Sequence, residues 1–104
     1  MTKRPTAEAL LELGLMLHRA KHNQGKEEFP GYLSRMGITR SRASRAVKLT
    51  RDWRLLRNAA RLPPEIGTLE QISKLDDIVF GEALALKIIN PRMTFATARR
   101  LRGV

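Results

Sequence analysis

Gly37-Ile38-Thr39-Arg40-Ser41-Arg42-Ala43-Ser44-Arg45-Ala46-Val47-Lys48 is the stretch on which the fold turns. Gly37 suits the left-handed backbone that ends one helix, Ile38 can plug the angle between two helices, and Thr39 can cap the next. At about 100° per residue, Ala43, Ala46, Val47 and Trp53 fall on one side of the following helix. Ser41, Ser44, Arg45, Lys48 and Arg51 fall on the other. The alanines suit a close approach to the preceding helix, which leaves the polar side free. This pattern predicts the turn and second helix of a helix-turn-helix.

Working back from that turn, Lys26 to Met36 reads as a helix with Phe29, Tyr32, Leu33 and Met36 facing a core. Pro30 fits only a first turn, so the helix should begin near Glu28 or Phe29. Ahead of it, Thr6 can cap a helix from Ala7 to about Lys21 whose apolar face is Leu10, Leu13, Leu17 and Ala20, with Leu11 and Met16 beside them. Asn23-Gln24-Gly25 should end it.

Working forward, Arg42, Arg45, Lys48, Arg51, Arg54 and Arg57 recur every third residue. On a continuous helix they wind around it by about 60° per step and cannot share one face. Arg54, Arg57 and Arg61 therefore suit phosphate contacts or salt bridges to the acidic later part. Trp53 could stack on an exposed base, as in single-strand binders, but a lone tryptophan on an apolar face suits the core better. Leu62-Pro63-Pro64 ends this region. Short helices follow: Thr68 capping Leu69 to Leu75, Asp76 or Asp77 capping a helix to Ile88 or Ile89, and Thr94 capping Phe95 to Leu101 after the break at Asn90-Pro91. No strand-like alternation of useful length appears. The expectation is one all-α domain, residues 1–104, a compact bundle of about five to six helices. Its helix-turn-helix would cover about 27–58 and its short-helix region about 62–104.

The charge is unevenly placed. Of 104 residues, 20 are Lys or Arg and 10 Asp or Glu, a formal net charge of +10. Met1 to Thr39 carries six basic and four acidic residues, Arg40 to Arg61 eight and one, Leu62 to Pro91 two and five, and Arg92 to Val104 four and none. One strongly basic block between near-neutral or acidic stretches suggests a localised polyanion site, because merely solubilising faces interleave Glu with Lys. With zero cysteines there is neither a disulfide framework nor a thiolate metal site, and a reducing cytoplasm fits. The basic start Met1-Thr2-Lys3-Arg4-Pro5 is followed by an apolar run broken by Glu8 and Glu12, which suits neither a signal peptide nor a membrane span.

Catalytic chemistry finds little support. His18 and His22 stand four apart without a third ligand or the glutamate of a His-Glu-x-x-His motif. The Asp76-Asp77 pair reads as helix capping. There is no phosphate-cradling glycine loop and no Gly-x-Ser-x-Gly. The expectation is a non-enzyme with no cofactor, no metal and no catalytic residue.

The polar side of the Arg40 helix matches what a major groove admits: one helix, with arginine forks for guanine edges. Residues near the start of such a helix most often reach bases. The expected base readers are thus Arg40, Ser41, Ser44, Arg45 and Lys48, with Thr39 and Arg42 on phosphate and Arg51 at the end of the face.

Ala20-Lys21 through Glu28-Phe29, Tyr32-Leu33, Gly37-Ile38-Thr39-Arg40 and Ala43-Ser44-Arg45-Ala46-Val47 together resemble the phage and plasmid helix-turn-helix proteins of the DUF3102 type. Leu62-Pro63-Pro64, Thr68-Leu69, Ile72-Ser73-Lys74-Leu75-Asp76 and Ile89-Asn90-Pro91-Arg92-Met93-Thr94 resemble the segment after that motif. There is a weaker similarity to the helix-turn-helix region of ParB-like partition proteins, whose nucleotide-binding domain has no counterpart in this chain. The resemblance implies an all-α DNA-binding fold from a mobile element, with Thr39 to Lys48 as the reading segment. The expected function is sequence-specific binding of double-stranded DNA by a cytoplasmic, nucleoid-associated homodimer that regulates transcription in a phage or plasmid. Alternatives are a plasmid partition or replication accessory protein, or a basic effector docking a host protein such as RNA polymerase.

Overall fold

The computed structural model describes residues 5–103, with nothing described of the Lys26 side chain. The basic start Met1-Thr2-Lys3-Arg4 thus lies outside the described residues. Thr6 opens α1 (Ala7–Met36) as expected, its hydroxyl accepting from the Ala9 N–H at 3.0 Å. α1 is two helical segments divided at Gly25, whose φ of 81° and ψ of 170° are open almost only to glycine. The division falls where the sequence places it. The second segment resumes immediately after Gly25, so Pro30 lies just beyond its first turn rather than inside it. Met36, expected to face the core, is exposed at the last position of the helix.

Gly37, at φ 71°, ends α1. Its N–H bonds to the Ser34 carbonyl, and the Ile38 N–H reaches back to the Leu33 carbonyl at 3.0 Å. This is the paired capping of a left-handed helix end. Thr39 then accepts from the Arg42 N–H at 3.1 Å and starts α2 (Arg40–Leu49). Two helices joined by a three-residue turn satisfy the helix-turn-helix expectation locally.

The basic helix is shorter than the sequence suggests. α2 ends at Leu49, and Asp52 caps a separate α3 (Trp53–Arg57) by accepting from the Arg54 N–H at 3.0 Å. A 3₁₀ turn (Ala59–Arg61) follows. The interruption resets the helical phase, which corrects the placing of Trp53: it is 63% exposed, not core. Thr68 also differs. α4 (Ile66–Ser73) begins two residues ahead of it, so Thr68 is a wholly buried helix residue, and not a cap, and its hydroxyl has no hydrogen-bond partner among the described residues. Asp76 and Thr94 do cap α5 (Asp77–Ala85) and α6 (Phe95–Leu101), accepting from Val79 and Thr97 N–H groups. α5 stops short of Ile88 because Lys87 turns into the left-handed region at φ 60° and the Ile88 N–H closes onto the Ala83 carbonyl.

The protein is all-helical, with six α-helices and one 3₁₀ turn among the described residues. Its main core joins Leu10 and Leu11 of α1 to Ala46, Leu49, Leu55, Leu62, Leu69, Ile72, Leu75, Phe80, Ala83, Ile89, Met93 and Ala98. The inward residues expected of α4, Leu69 and Ile72 with Leu75 after it, are all buried. A second cluster of Leu17, Leu33 and Ala43 fills the angle of the helix-turn-helix, with Leu13, Phe29, Tyr32, Ile38 and Val47 around it.

Two contacts fix α2 in this frame. Ala46 lies against Gly14 of α1 so closely that a Cβ at Gly14 would sit 2.5 Å from the Ala46 carbonyl oxygen and 2.6 Å from Thr50 Cγ2. Ala43 meets Leu17 and Leu33 across both segments of α1. The alanines thus serve the close approach that the sequence implies, but against both segments of α1 rather than the second alone.

Gly14→Ala should therefore destabilise the protein. The helix-propensity gain of about 1 kcal/mol is outweighed by an overpacking cost of about 1–3 kcal/mol against main chain that cannot rotate away. A thermal melt should show a midpoint several degrees lower, and an unchanged or higher midpoint would contradict the contact.

Candidate nucleic-acid interface

Ala43, Ala46 and Leu49 of α2 are buried, and Val47 packs beside Leu17 and Leu33. Arg40, Ser41, Arg42, Ser44 and Lys48 are exposed, as are Thr39 before the helix and Arg51 beyond its last turn. Ser41, Ser44 and Lys48 follow one another at spacings of three and four and so form a row along the helix. The expected site residues lie on this one element, apart from its N-cap Thr39 and Arg51. Its N–H bonds to the Lys48 carbonyl at 3.1 Å, keeping it at the helix's C-terminal edge.

Arg45 occupies a different position from its neighbours. Its guanidinium forms a two-pronged pair with Glu70 of α4, Nε to Oε2 at 3.0 Å and the second bond from Nη2 to Oε1. The fork that would match a guanine edge is therefore already occupied, although the side chain remains 42% exposed. The hydrogen bond from Arg45 holds the Glu70 carboxyl below its ordinary value, against a smaller opposing effect of burial, and Lys74 and Lys48 add to the lowering. The same hydrogen bond raises Arg45 above its ordinary value. No sequence signal marked Glu70: it is twenty-five positions from Arg45 and meets it only because α2 packs on α4.

The later arginines divide as their helical phase requires. Arg54 turns inward and is 11% exposed at its side chain. It pairs with Asp52, reaches Asp77 at 3.1 Å, donates to the Ser73 and Leu75 carbonyls, and lies 4.6 Å above the Phe80 ring. The expected salt bridge to the acidic later part is present in this residue. Arg57 and Arg61 are exposed, with no carboxylate partner among the described residues. The block of eight basic residues therefore presents six cations outward: Arg40, Arg42, Lys48, Arg51, Arg57 and Arg61.

Among the described residues, no group of three His, Cys, Asp or Glu is placed to hold a metal ion, and no helix is long and apolar enough to cross a membrane. His18 and His22 are exposed on α1.

Because the folded-state carboxyl of Glu70 is depressed, the pair contributes stability above the ordinary value of 4.5 and loses it as pH falls through the lower folded value. The contribution is small, because the pair is open to solvent and screened by it. A carboxyl titration followed by NMR should give a Glu70 midpoint below 4.5. The midpoint should rise in Arg45→Ala, and equal midpoints in the two proteins would dissolve the pair.

No protein-family model, curated protein or solved structure matches this chain.

Proposed function

We propose that the chain binds double-stranded DNA in a sequence-specific manner, entering the major groove with α2, as a transcriptional regulator of a phage or plasmid. One observation carries this reading: the helix after the helix-turn-helix turn buries its alanines and presents Arg40, Ser41, Arg42, Ser44 and Lys48 together, with no acidic residue of its own. A face made of cations and small hydroxyls suits a polyanion whose base edges offer acceptors in pairs. The resemblance to phage and plasmid helix-turn-helix proteins points the same way, and a nucleoid-associated place in the cytoplasm follows from it.

Glu70 modifies the roles within that face. Arg40, Ser41, Ser44 and Lys48 are the base readers in this reading, Thr39, Arg42 and Arg51 contact phosphate, and Arg45 reaches DNA only if it exchanges Glu70 for the ligand.

Self-association completes the proposal, since one short helix discriminates among few base pairs and a two-fold pair of half-sites doubles the contacts. The supporting observation lies on α5, where Ile78 is 73% and Leu86, just after it, 72% exposed. Gly81 lies between them, with open space where its Cβ would be. The chain would pair through Ile78 and Leu86, with the exposed Glu82 between them at the spacing of four from each, and leave α2 free. Sedimentation should show a dimer that Ile78→Glu with Leu86→Glu converts to monomer. A monomer at all concentrations in the parent protein would remove the dimer from the proposal.

For the DNA face, duplex affinity should fall steeply with salt. A log–log slope of about −4 is expected if Arg42, Arg51, Arg57 and Arg61 meet phosphate. Arg40→Ala with Lys48→Ala should weaken binding about tenfold or more and leave the melting temperature unchanged, because both side chains are in solvent. Binding that ignores both salt and these substitutions would defeat the reading.

A further inference from the structure

Trp53 is the single tryptophan of the chain, and it lies 63% exposed at the first position of α3. An indole buries a large apolar area when it finds a partner, and leaving it in water forgoes that gain. Its surroundings say what partner fits. Leu56 and Arg57 follow it within α3 at spacings of three and four, Ala60 and Arg61 lie in the 3₁₀ turn that comes next, and all four are exposed. Arg51 precedes it by two residues, within about 7 Å along the chain. Arg51, Arg57 and Arg61 have no carboxylate partner among the described residues. The nearest acid, Asp52, has both oxygens engaged by Arg54, which carries them toward α5.

We infer that Trp53 is a nucleic-acid contact, so that the interface proposed for α2 continues past its C-terminal end onto α3. The inference rests on that DNA-binding reading. A flat apolar ring between unpaired guanidinium groups is complementary to a strand that alternates phosphates with planar bases and sugars. Arg51, Arg57 and Arg61 take the phosphates. The indole takes the face of a base where the strand is unstacked, or the deoxyribose where it is paired. Lys48 and Arg51 link the two parts, because the Arg51 N–H is bonded to the Lys48 carbonyl and the exposed row of α2 runs directly into Arg51.

The sole indole makes the test label-free on the protein side. Trp53 emission would be followed as a dye-labelled duplex, or the corresponding single strand, is added, and dye anisotropy would report binding in the same samples. Quenching that saturates with the anisotropy is expected. Trp53→Ala should weaken binding about tenfold at an unchanged melting temperature, with Trp53→Phe close to the parent protein. Stronger quenching by the single strand marks base stacking, and quenching by the duplex alone marks contact with the sugar. Duplex binding with unaltered emission and an unaffected Trp53→Ala overturns the role of Trp53 and leaves the α2 reading standing. Absence of binding by anisotropy overturns both. Emission that shifts with protein concentration, without nucleic acid, assigns Trp53 to self-association and overturns the inference.

Discussion

The close approach of α1 and α2 at Gly14 and Ala46 is the constraint on which the rest of the arrangement depends. With no side chain at one position and a single methyl at the other, main chain meets main chain. That contact leaves α2 little freedom to roll about its own axis. The roll determines which residues are outward, and so the exposure of Ser41, Ser44 and Lys48 follows from a contact on the far side of the helix. The cluster of Leu17, Leu33 and Ala43 acts in the same sense one turn earlier. A helix fixed at two successive turns presents its polar side as a rigid surface, which spares a ligand the cost of ordering it.

Acidic residues set how much of the basic block remains free. Glu70 holds Arg45 against α4, while Asp52 and Asp77 hold Arg54 at the corner where α4 gives way to α5. Arg54 is a structural tie: it satisfies two carbonyls at the end of α4, caps the approach to α5 with its charge, and covers the Phe80 ring. The six remaining cations lie on α2, in the turn after it, and on α3 and the 3₁₀ turn. The molecule thus separates arginines that hold the fold from arginines that face solvent, though the two kinds alternate along the chain.

Most of the helical architecture was legible in the sequence because its signals are local. Thr6, Thr39, Asp76 and Thr94 all cap helices by short-range hydrogen bonds, and Gly25 and Gly37 take positive φ where the apolar rhythm stops. The failures arose where a local signal had a competitor. Asp52 restarts the helix and so moves Trp53 out of the apolar phase, an effect that continuous helical geometry does not contain. Thr68 reads as a cap but lies inside a helix that begins at Ile66, since burial of α4 against the core decides its start. For the candidate site, the outward row on α2 was legible from periodicity. The occupation of Arg45 by Glu70 was not, because it depends on packing between segments twenty-five residues apart.

Gly14 and Gly25 lie in the same helix and should both resist replacement in a scan of every position, but for opposite reasons. Gly14 has an ordinary helical backbone and no room, whereas Gly25 has open space around it and a backbone angle that L-residues reject. Mirror-image chemistry identifies the backbone cause at Gly25, because a D-alanine adopts positive φ without strain. Installed by chemical synthesis, D-alanine would be accommodated at Gly25, where L-alanine is strained. An intolerant glycine on the surface of this protein therefore marks the handedness of the chain and carries no information about a ligand.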